Sequence, residues 1–291
     1  MKKVVVLVGP TGSGKTGLSI KLAKHFGNEI INGDSVQVYQ GLDIGSAKIK
    51  KTEMEGIQHH LIDVVSLNDS YSVYQFQTDV RRLIESIDRP MICGGTGLYI
   101  KAALYLYEFD EGGRNDAFDQ IYQSKTNEEL MDLLLELDPE IKIDIHNRRR
   151  ILRALELALS GVKRSMKQKK DHLLYDALIL YLDIDRNILE PRLKERLDHM
   201  IHAGFIEEVK ALKAQGFVLN TIGYREMNHY LEGEMTLEET KEMIVKVTKK
   251  LAKKQKTFFK NQMQVIMLNA LDPDLFDQAK TIIDLFYGGN H

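Results

Sequence analysis

The stretch Val4-Val5-Val6-Leu7-Val8, followed at once by Gly9-Pro10-Thr11-Gly12-Ser13-Gly14-Lys15-Thr16, constrains this chain more than any other feature. An apolar run without polar alternation reads as a parallel strand covered on both faces. The octet after it fits G-x-x-x-x-G-K-[ST] at every position and lies between that strand and a helix expected over residues 15–24. Glycines let backbone N–H groups turn toward phosphate oxygens, the helix N-terminus adds positive partial charge, and a lysine adds a full one. Thr11, Gly12, Ser13, Gly14, Lys15 and Thr16 are therefore the expected diphosphate-binding residues, with the Thr16 hydroxyl as a ligand for Mg²⁺.

Further short apolar runs, Glu29-Ile30-Ile31 and Met91-Ile92-Cys93, end near Gly33 and at Gly94, and residues 178–184 supply another. Strands alternating with helices imply an α/β fold, here a P-loop NTPase-like core with a mostly parallel sheet flanked by helices. Between about residues 108 and 171 helical periodicity continues without a convincing strand. The expected organisation is thus a core of residues 1–110 and 172–291, including the C-terminal helices, interrupted by a helical insertion domain at 111–171. In residues 188–201, Leu189, Leu193, Leu197 and Met200 mark one buried helical face, and Arg192, Arg196 and His199 share an adjacent one. The last residues, 288–291, read as a frayed end.

Composition narrows the function classes. Cys93 is the only cysteine, which excludes an internal disulfide and paired-cysteine zinc sites and fits a reducing cytoplasm. No apolar run approaches the roughly 18 to 20 residues that span a bilayer, and the opening Met-Lys-Lys leads straight into the glycine loop, unlike a cleavable signal. A cytoplasmic protein without membrane contact, and a monomer, is expected. Forty Lys and Arg against 42 Asp and Glu argue against indiscriminate coating of nucleic acid. The charges are segregated, however: acids crowd residues 108–144, and bases cluster at 148–153, 163–170 and 246–260.

Two basic sets admit two readings each. Lys246, Lys249, Lys253, Lys256 and Lys260 recur at helical spacing opposite Ile244, Val247, Leu251 and Phe258, as a solvated face or as a track for an RNA backbone. Arg149 and Arg153 stand one turn apart beside Ile151, Leu152, Leu155 and Leu159, as ion-pair partners of Glu156 or as RNA contacts. His59 and His60 lack metal-ligand spacing and read as structural; Tyr99 reads as core and Cys93 as an inert buried thiol.

A phosphate cradle serves kinases, NTPases and enzymes that release diphosphate. An NTPase presents an aspartate after an apolar strand, but the matching strand here ends in Cys93-Gly94-Gly95-Thr96-Gly97. The acid at a strand end is Asp34, which suits proton acceptance and metal ligation equally. An ATP-dependent small-molecule or nucleotide kinase and a transferase both stay open at this point.

Taken together, the motifs resemble the tRNA dimethylallyltransferase family through most of the chain. Besides the phosphate loop they comprise Gly33-Asp34-Ser35-Val36-Gln37-Val38-Tyr39, Gly41-Leu42-Asp43-Ile44-Gly45-Ser46-Ala47-Lys48 and His59-His60-Leu61-Ile62-Asp63. Further on stand Gly94-Gly95-Thr96-Gly97-Leu98-Tyr99-Ile100, Arg149-Arg150-Ile151-Leu152-Arg153-Ala154-Leu155-Glu156, Ile222-Gly223-Tyr224-Arg225-Glu226 and Ala252-Lys253-Lys254-Gln255-Lys256-Thr257. The resemblance implies transfer of a dimethylallyl group from dimethylallyl diphosphate to the N6 amine of the adenosine 3′ of the anticodon, with the anticodon stem-loop of tRNA as partner.

Carried over by motif, Asp34 accepts a hydrogen bond or proton from the adenine amine, Thr96 helps position the reacting groups, and Arg196 is a second cation on the diphosphate held by Lys15, Thr16 and Mg²⁺. The residues implied to meet RNA are Asp34, Ser35, Val36, Gln37 and Thr96 near the extruded base, then Arg149, Arg150, Ile151, Leu152 and Arg153. Gly223, Tyr224 and Arg225 follow, with Lys253, Lys254, Lys256 and Lys260 completing the set. The chain departs from the family pattern in a compact insertion around Asp110-Glu111-Gly112-Gly113-Arg114, in the missing proline after Ile145-His146, and in Phe258, which replaces a tryptophan.

Overall fold

The first strand, β1 (Lys3–Val8), is buried on both faces: Val4, Val6 and Val8 point into one half of the core, Val5 and Leu7 into the other. The computed structural model describes residues 1–106, 116–165 and 172–288. Residues 110–114 of the insertion, the basic residues 166–170 and the terminal 289–291 therefore lie outside the described residues. Around β1 are arranged β2 (Glu29–Gly33), β3 (His59–His60), β4 (Pro90–Gly94), β5 (Asp176–Asp183) and β6 (Ile266–Asn269). They form one sheet in the order β3-β2-β4-β1-β5-β6, every pairing parallel. The fold is thus α/β, as the alternation of strands and helices implied.

The helices among the described residues are α1 (Lys15–Phe26), α2 (Val73–Ser86), α3 (Gly97–Leu104), α4 (Asp116–Ile121), α5 (Asn127–Leu137), α6 (Arg148–Leu159), α7 (Arg186–His202), α8 (Phe205–Ala214), α9 (Tyr224–Leu231), α10 (Leu237–Gln262) and α11 (Leu275–Tyr287). Three of them start on capping boxes, Ser72 with Gln75, Thr126 with Glu129 and Thr236 with Glu239, which satisfy otherwise orphaned N–H groups reciprocally. One face of the sheet packs on α2, α3 and the end of α10 through Phe76, Val80, Ile100 and Phe259. The other packs on α1 and α11 through Leu18, Leu22, Phe26 and Ile283. A third cluster joins α7, α8, α9 and α10 around Leu193, Phe205, Tyr224 and Ile244. None of the helices among the described residues is long and apolar enough to cross a membrane.

The chain divides into two compact units. One comprises Met1–Tyr105 and Leu173–His291 and contains the sheet. The other, Leu106–His172, is helical where described and has its own core of Leu130, Leu134, Ile151, Leu152 and Leu155.

Two details correct the helical patterns expected from the sequence. Leu251 is half-exposed, and the buried face of α10 runs through Ile244, Val245, Ala252 and Phe259, spacings of seven or so that keep one stripe inward over a long helix. Leu159, placed with the apolar face of α6, lies in its last turn and is 53% exposed; Ala154 and Ala158 complete that face instead.

Candidate functional site

The loop leaving β1 lies where the strand order reverses, with β4 on one side and β5 on the other. Open parallel sheets bind ligands at that point, outside the carboxyl ends of the strands. A cavity of about 460 Å³ opens there. Its wall includes Thr11, Gly12, Gly14, Lys15 and Thr16 from the loop, Asn32 and Asp34 at the end of β2, and Gly94 and Gly95 at the end of β4.

Gly14 caps α1 at φ 84°, a left-handed backbone that side-chain-bearing residues adopt only with strain. The first bond into the helix is donated by Leu18 N–H to the Gly14 carbonyl at 3.2 Å, so the N–H groups of the first turn before it have no helical partner and are available to an anion. Ser13 differs from its neighbours. It is buried and its hydroxyl donates to the Pro10 carbonyl at 2.8 Å, so its side chain braces the loop from within rather than lining the cavity.

Lys15 Nζ donates to the Pro10 carbonyl at 2.7 Å. Burial pulls its pKa down to about 8; Cys93 and Asp34 oppose that shift and Arg196 adds to it. The same proximity appears at Arg196, where burial lowers the guanidinium and Asp34 raises it. Arg196 projects from α7 into the cavity wall together with Arg192, Glu195 and His199. Buried like-charged groups facing one acid form a site in which an added anion relieves the desolvation of the cations.

Asp34 is held by its own turn. Its backbone N–H donates to Asn32 Oδ1 at 2.9 Å, and its Oδ1 accepts the Val36 N–H at 2.8 Å. Asn32 in turn donates to the carbonyls of Asp34 and Leu61. Thr96 supports this turn from β4: its N–H donates to the Gly33 carbonyl at 3.1 Å, and its Oγ1 accepts the Ser35 N–H at 3.1 Å. Thr96 is absent from the cavity wall, so its hydroxyl acts on the turn that carries Asp34.

The cavity also has apolar lining. Ile30 and Ile49 contribute to it, with Ala47, Ile62 and the Cys93 thiol. In the register of the sheet Ile30 precedes Asn32 by one pleat and so lies deeper from the carboxyl edge. Cys93 faces this cavity rather than being sealed in the core, and burial pushes its thiol up, which keeps it protonated and unreactive. His59 also lines the cavity, lowered by burial, while His60 bonds Glu29 at 2.7 Å and pairs as part of β3.

Of the other residues singled out in the sequence, Gln37 lines the cavity and Ser35 and Val36 flank Asp34. Gly223 and Tyr224 are both buried, Tyr224 to 1% exposure, and its hydroxyl donates to Glu208 at 2.7 Å, so they build the α8–α9 contact. Arg225 is half-exposed and pairs with the buried Glu226. Ile151 and Leu152, at 0% and 5% exposure, have side chains in the core of the helical unit. Arg149 and Arg150 are exposed, whereas Arg153 bonds Glu156 at 2.6 Å. On α10, Lys253, Lys254 and Lys260 are exposed, but Lys256 bonds Asp183 at 2.7 Å and Lys249 bonds Glu190. Arg192 and Gln255 were missed as site residues. Arg192 was legible as the residue one turn before Arg196; Gln255, whose Nε2 donates to the Gly95 carbonyl at 2.8 Å, stood inside a recognised block without a sign of its direction.

The IPP transferase family profile matches residues 37–262. A protein of Acholeplasma laidlawii named tRNA dimethylallyltransferase is 54% identical over 288 residues, 99% of this chain and 100% of that protein. The Bacillus subtilis protein of the same name is 42% identical over 93% of this chain and 91% of its own. Among solved structures, a tRNA isopentenylpyrophosphate transferase from Staphylococcus epidermidis superposes with a TM-score of 0.73 at 36% identity, covering 98% of this chain and 99% of that one. A eukaryotic dimethylallyltransferase acting on tRNA gives 0.84 at 29% identity, over 99% of this chain and 80% of its own.

Proposed function

The chain belongs to the tRNA dimethylallyltransferase family, and from that premise we propose that it moves a dimethylallyl group from dimethylallyl diphosphate to the N6 amine of the adenosine 3′ of the anticodon in tRNA. The single observation that carries the reading is the cavity itself, where Lys15 and Arg196 lie near Asp34 and Ile30 and Ile49 add apolar lining. Such a site fits a ligand with a polyanionic head and a short hydrocarbon tail.

In this reading the diphosphate lies on the N-terminus of α1, against Lys15 and Arg196, and the tail lies toward Ile30 and Ile49. Thr16 Oγ1, with the carboxylates of Asp34 and Glu195 in the same cavity, offers the hard oxygen donors that Mg²⁺ takes. When bound, the metal supplies charge neutralisation to the diphosphate. The N6 lone pair forms a bond to the first carbon of the donor while the bond from that carbon to oxygen breaks, its electron pair leaving with diphosphate, and one N6 proton passes to Asp34 or onward to solvent. Asp34, pinned by Val36 and by the Thr96-braced turn, accepts the hydrogen bond from the amine and fixes its direction of attack. Lys15 and Arg196 stabilise the charge that develops on the leaving oxygen.

Gln37, Ser35 and Val36 border the base, and Arg149, Arg150, Lys253, Lys254 and Lys260 offer exposed cations for the RNA backbone, with Arg225 half-exposed beside Glu226. Ile151, Leu152, Gly223 and Tyr224 hold those cations in place from within the packing. The helical unit 106–172 serves the anticodon stem-loop, and the protein acts as a monomer in the cytoplasm.

The test is direct: purified protein, Mg²⁺, dimethylallyl diphosphate and unmodified tRNA are incubated, the RNA is digested, and prenylated adenosine is sought by mass. Product is expected, and Asp34→Asn is expected to lower kcat by about 10²- to 10⁴-fold at an unchanged melting temperature. Nucleotide turnover without prenylated product would replace the reading with a kinase. Full activity in the Asp34 variant would remove that residue from the mechanism.

A further inference from the structure

One wall of the cavity is a loop with no regular structure, residues 42–49, from which Ser46, Ala47 and Ile49 reach the ligand space. Ala47 holds a left-handed backbone, φ 46°, a conformation disfavoured for a residue with a Cβ unless its surroundings enforce it. The enforcement comes from outside the cavity. Three successive N–H groups, those of Asp43, Ile44 and Gly45, donate to the Glu208 carboxylate of α8 at 3.1, 2.7 and 3.0 Å. The Tyr224 hydroxyl adds a fourth bond at 2.7 Å, so each carboxylate oxygen accepts two. Gly45 allows this approach: a Cβ there would stand 2.3 Å from the Phe205 ring and 2.5 Å from that of Tyr224.

From this anchored stretch the loop carries order into the cavity. Ala47 N–H closes a turn on the Ile44 carbonyl at 2.9 Å, and the carbonyl of Ser46 accepts from Gln37 Nε2 at 3.2 Å. Lys48, buried behind the turn, ties its far end to the Tyr39 carbonyl and to Asp43 and Asp63. Glu208 itself does not line the cavity.

We propose that Glu208 is a positioning residue for donor binding: by clasping the backbone of residues 43–45 it sets Ala47 and Ile49 against the hydrocarbon tail of the donor. The inference rests on the prenyl-transfer reading above. It separates two parts of one ligand, because the diphosphate head meets the phosphate loop and Arg196, which Glu208 does not touch, whereas the tail meets the clasped loop. Glu208→Gln puts an amide N–H against backbone donors and breaks part of the clasp. Tyr224→Phe removes one of the four bonds and leaves the carboxylate in place.

The experiment titrates dimethylallyl diphosphate and inorganic pyrophosphate, each with Mg²⁺, into the full-length protein and both variants by calorimetry, with thermal melting alongside. Wild-type protein is expected to bind the prenyl ligand more tightly than pyrophosphate. In Glu208→Gln that preference falls at least tenfold, and in Tyr224→Phe about threefold, while the pyrophosphate Kd stays within twofold. A preference unchanged in Glu208→Gln overturns the proposal. Equal weakening of both ligands in Tyr224→Phe overturns it too, since that is the signature of a general loss of structure. Wild-type protein without any preference sinks the tail-binding reading and this role with it.

Discussion

Lys15 is the residue whose chemistry pH reports most directly. Burial holds it at about 8, well below the ordinary lysine value, so the ammonium loses its proton within an accessible range. The charged form is the one that binds a diphosphate. Below pH 8 the free enzyme already carries that charge; above it, binding requires uptake of a proton, and each further pH unit costs up to about tenfold in affinity. The expected outcome is a kcat/KM for the donor that is level with respect to this group at neutral pH and falls as pH rises through about 8. The limb in kcat lies higher, because the bound diphosphate favours the ammonium. A pH series with the donor varied at saturating tRNA checks both limbs, and a level profile to pH 10 would contradict the assignment. Lys15 was legible because the spacing of the phosphate loop is itself the geometry. Tyr224 was not, since its block marks a family without saying that the ring points inward to Glu208.

Packing and charge meet on a single element in α10. Its period was readable, but its phase was off by one residue at Leu251, and acids from other elements were invisible in a local window. Glu190 from α7 and Asp183 from the end of β5 occupy two lysines of the stripe, and only the fold brings them there. The stripe therefore splits into paired and exposed cations, and the two groups behave differently. Replacing Lys253 and Lys260 by alanine is expected to weaken tRNA binding and to flatten the plot of log K against log salt by about 0.7 to 0.9 for each phosphate no longer neutralised. Lys249→Ala is expected to leave that slope alone and to change stability by less than about 1 kcal/mol, as partly exposed pairs do. Filter binding across a salt series, with melting curves for each variant, distinguishes the groups; equal slope changes in both would mean that the ion pairs open on RNA.

At the scale of the whole molecule, the sheet was legible in its centre and not at its edges. Buried central strands need unbroken apolar runs; β3 is two histidines and has none, whereas β6 lies in the run Val265–Leu268, too short for its pattern alone to separate a strand from a helix end. Strand order was likewise out of reach, because it depends on pairings between segments far apart in the chain. The division into two units has a consequence that the pairings make testable. Tyr105 and Leu173 form an antiparallel bridge, and Leu174 N–H donates to the Leu104 carbonyl at 2.8 Å, so the chain leaves the sheet-bearing unit and re-enters it at neighbouring points. Each unit also has its own buried cluster. Replacing residues 107–171 with a short Gly/Ser linker therefore spans a gap that is already closed and, among the described residues, removes no side chain from the donor cavity. The shortened protein is expected to keep its donor Kd within about threefold while its kcat/KM for tRNA falls by about 100-fold or more, the effect of removing cations that together supply a few kcal/mol of binding. Calorimetry with the donor and steady-state kinetics with tRNA read the two halves separately. Undiminished tRNA kinetics would assign RNA recognition to α10 and the turn after β2 alone, and an absence of donor binding would show that the sheet-bearing unit does not stand without its insertion.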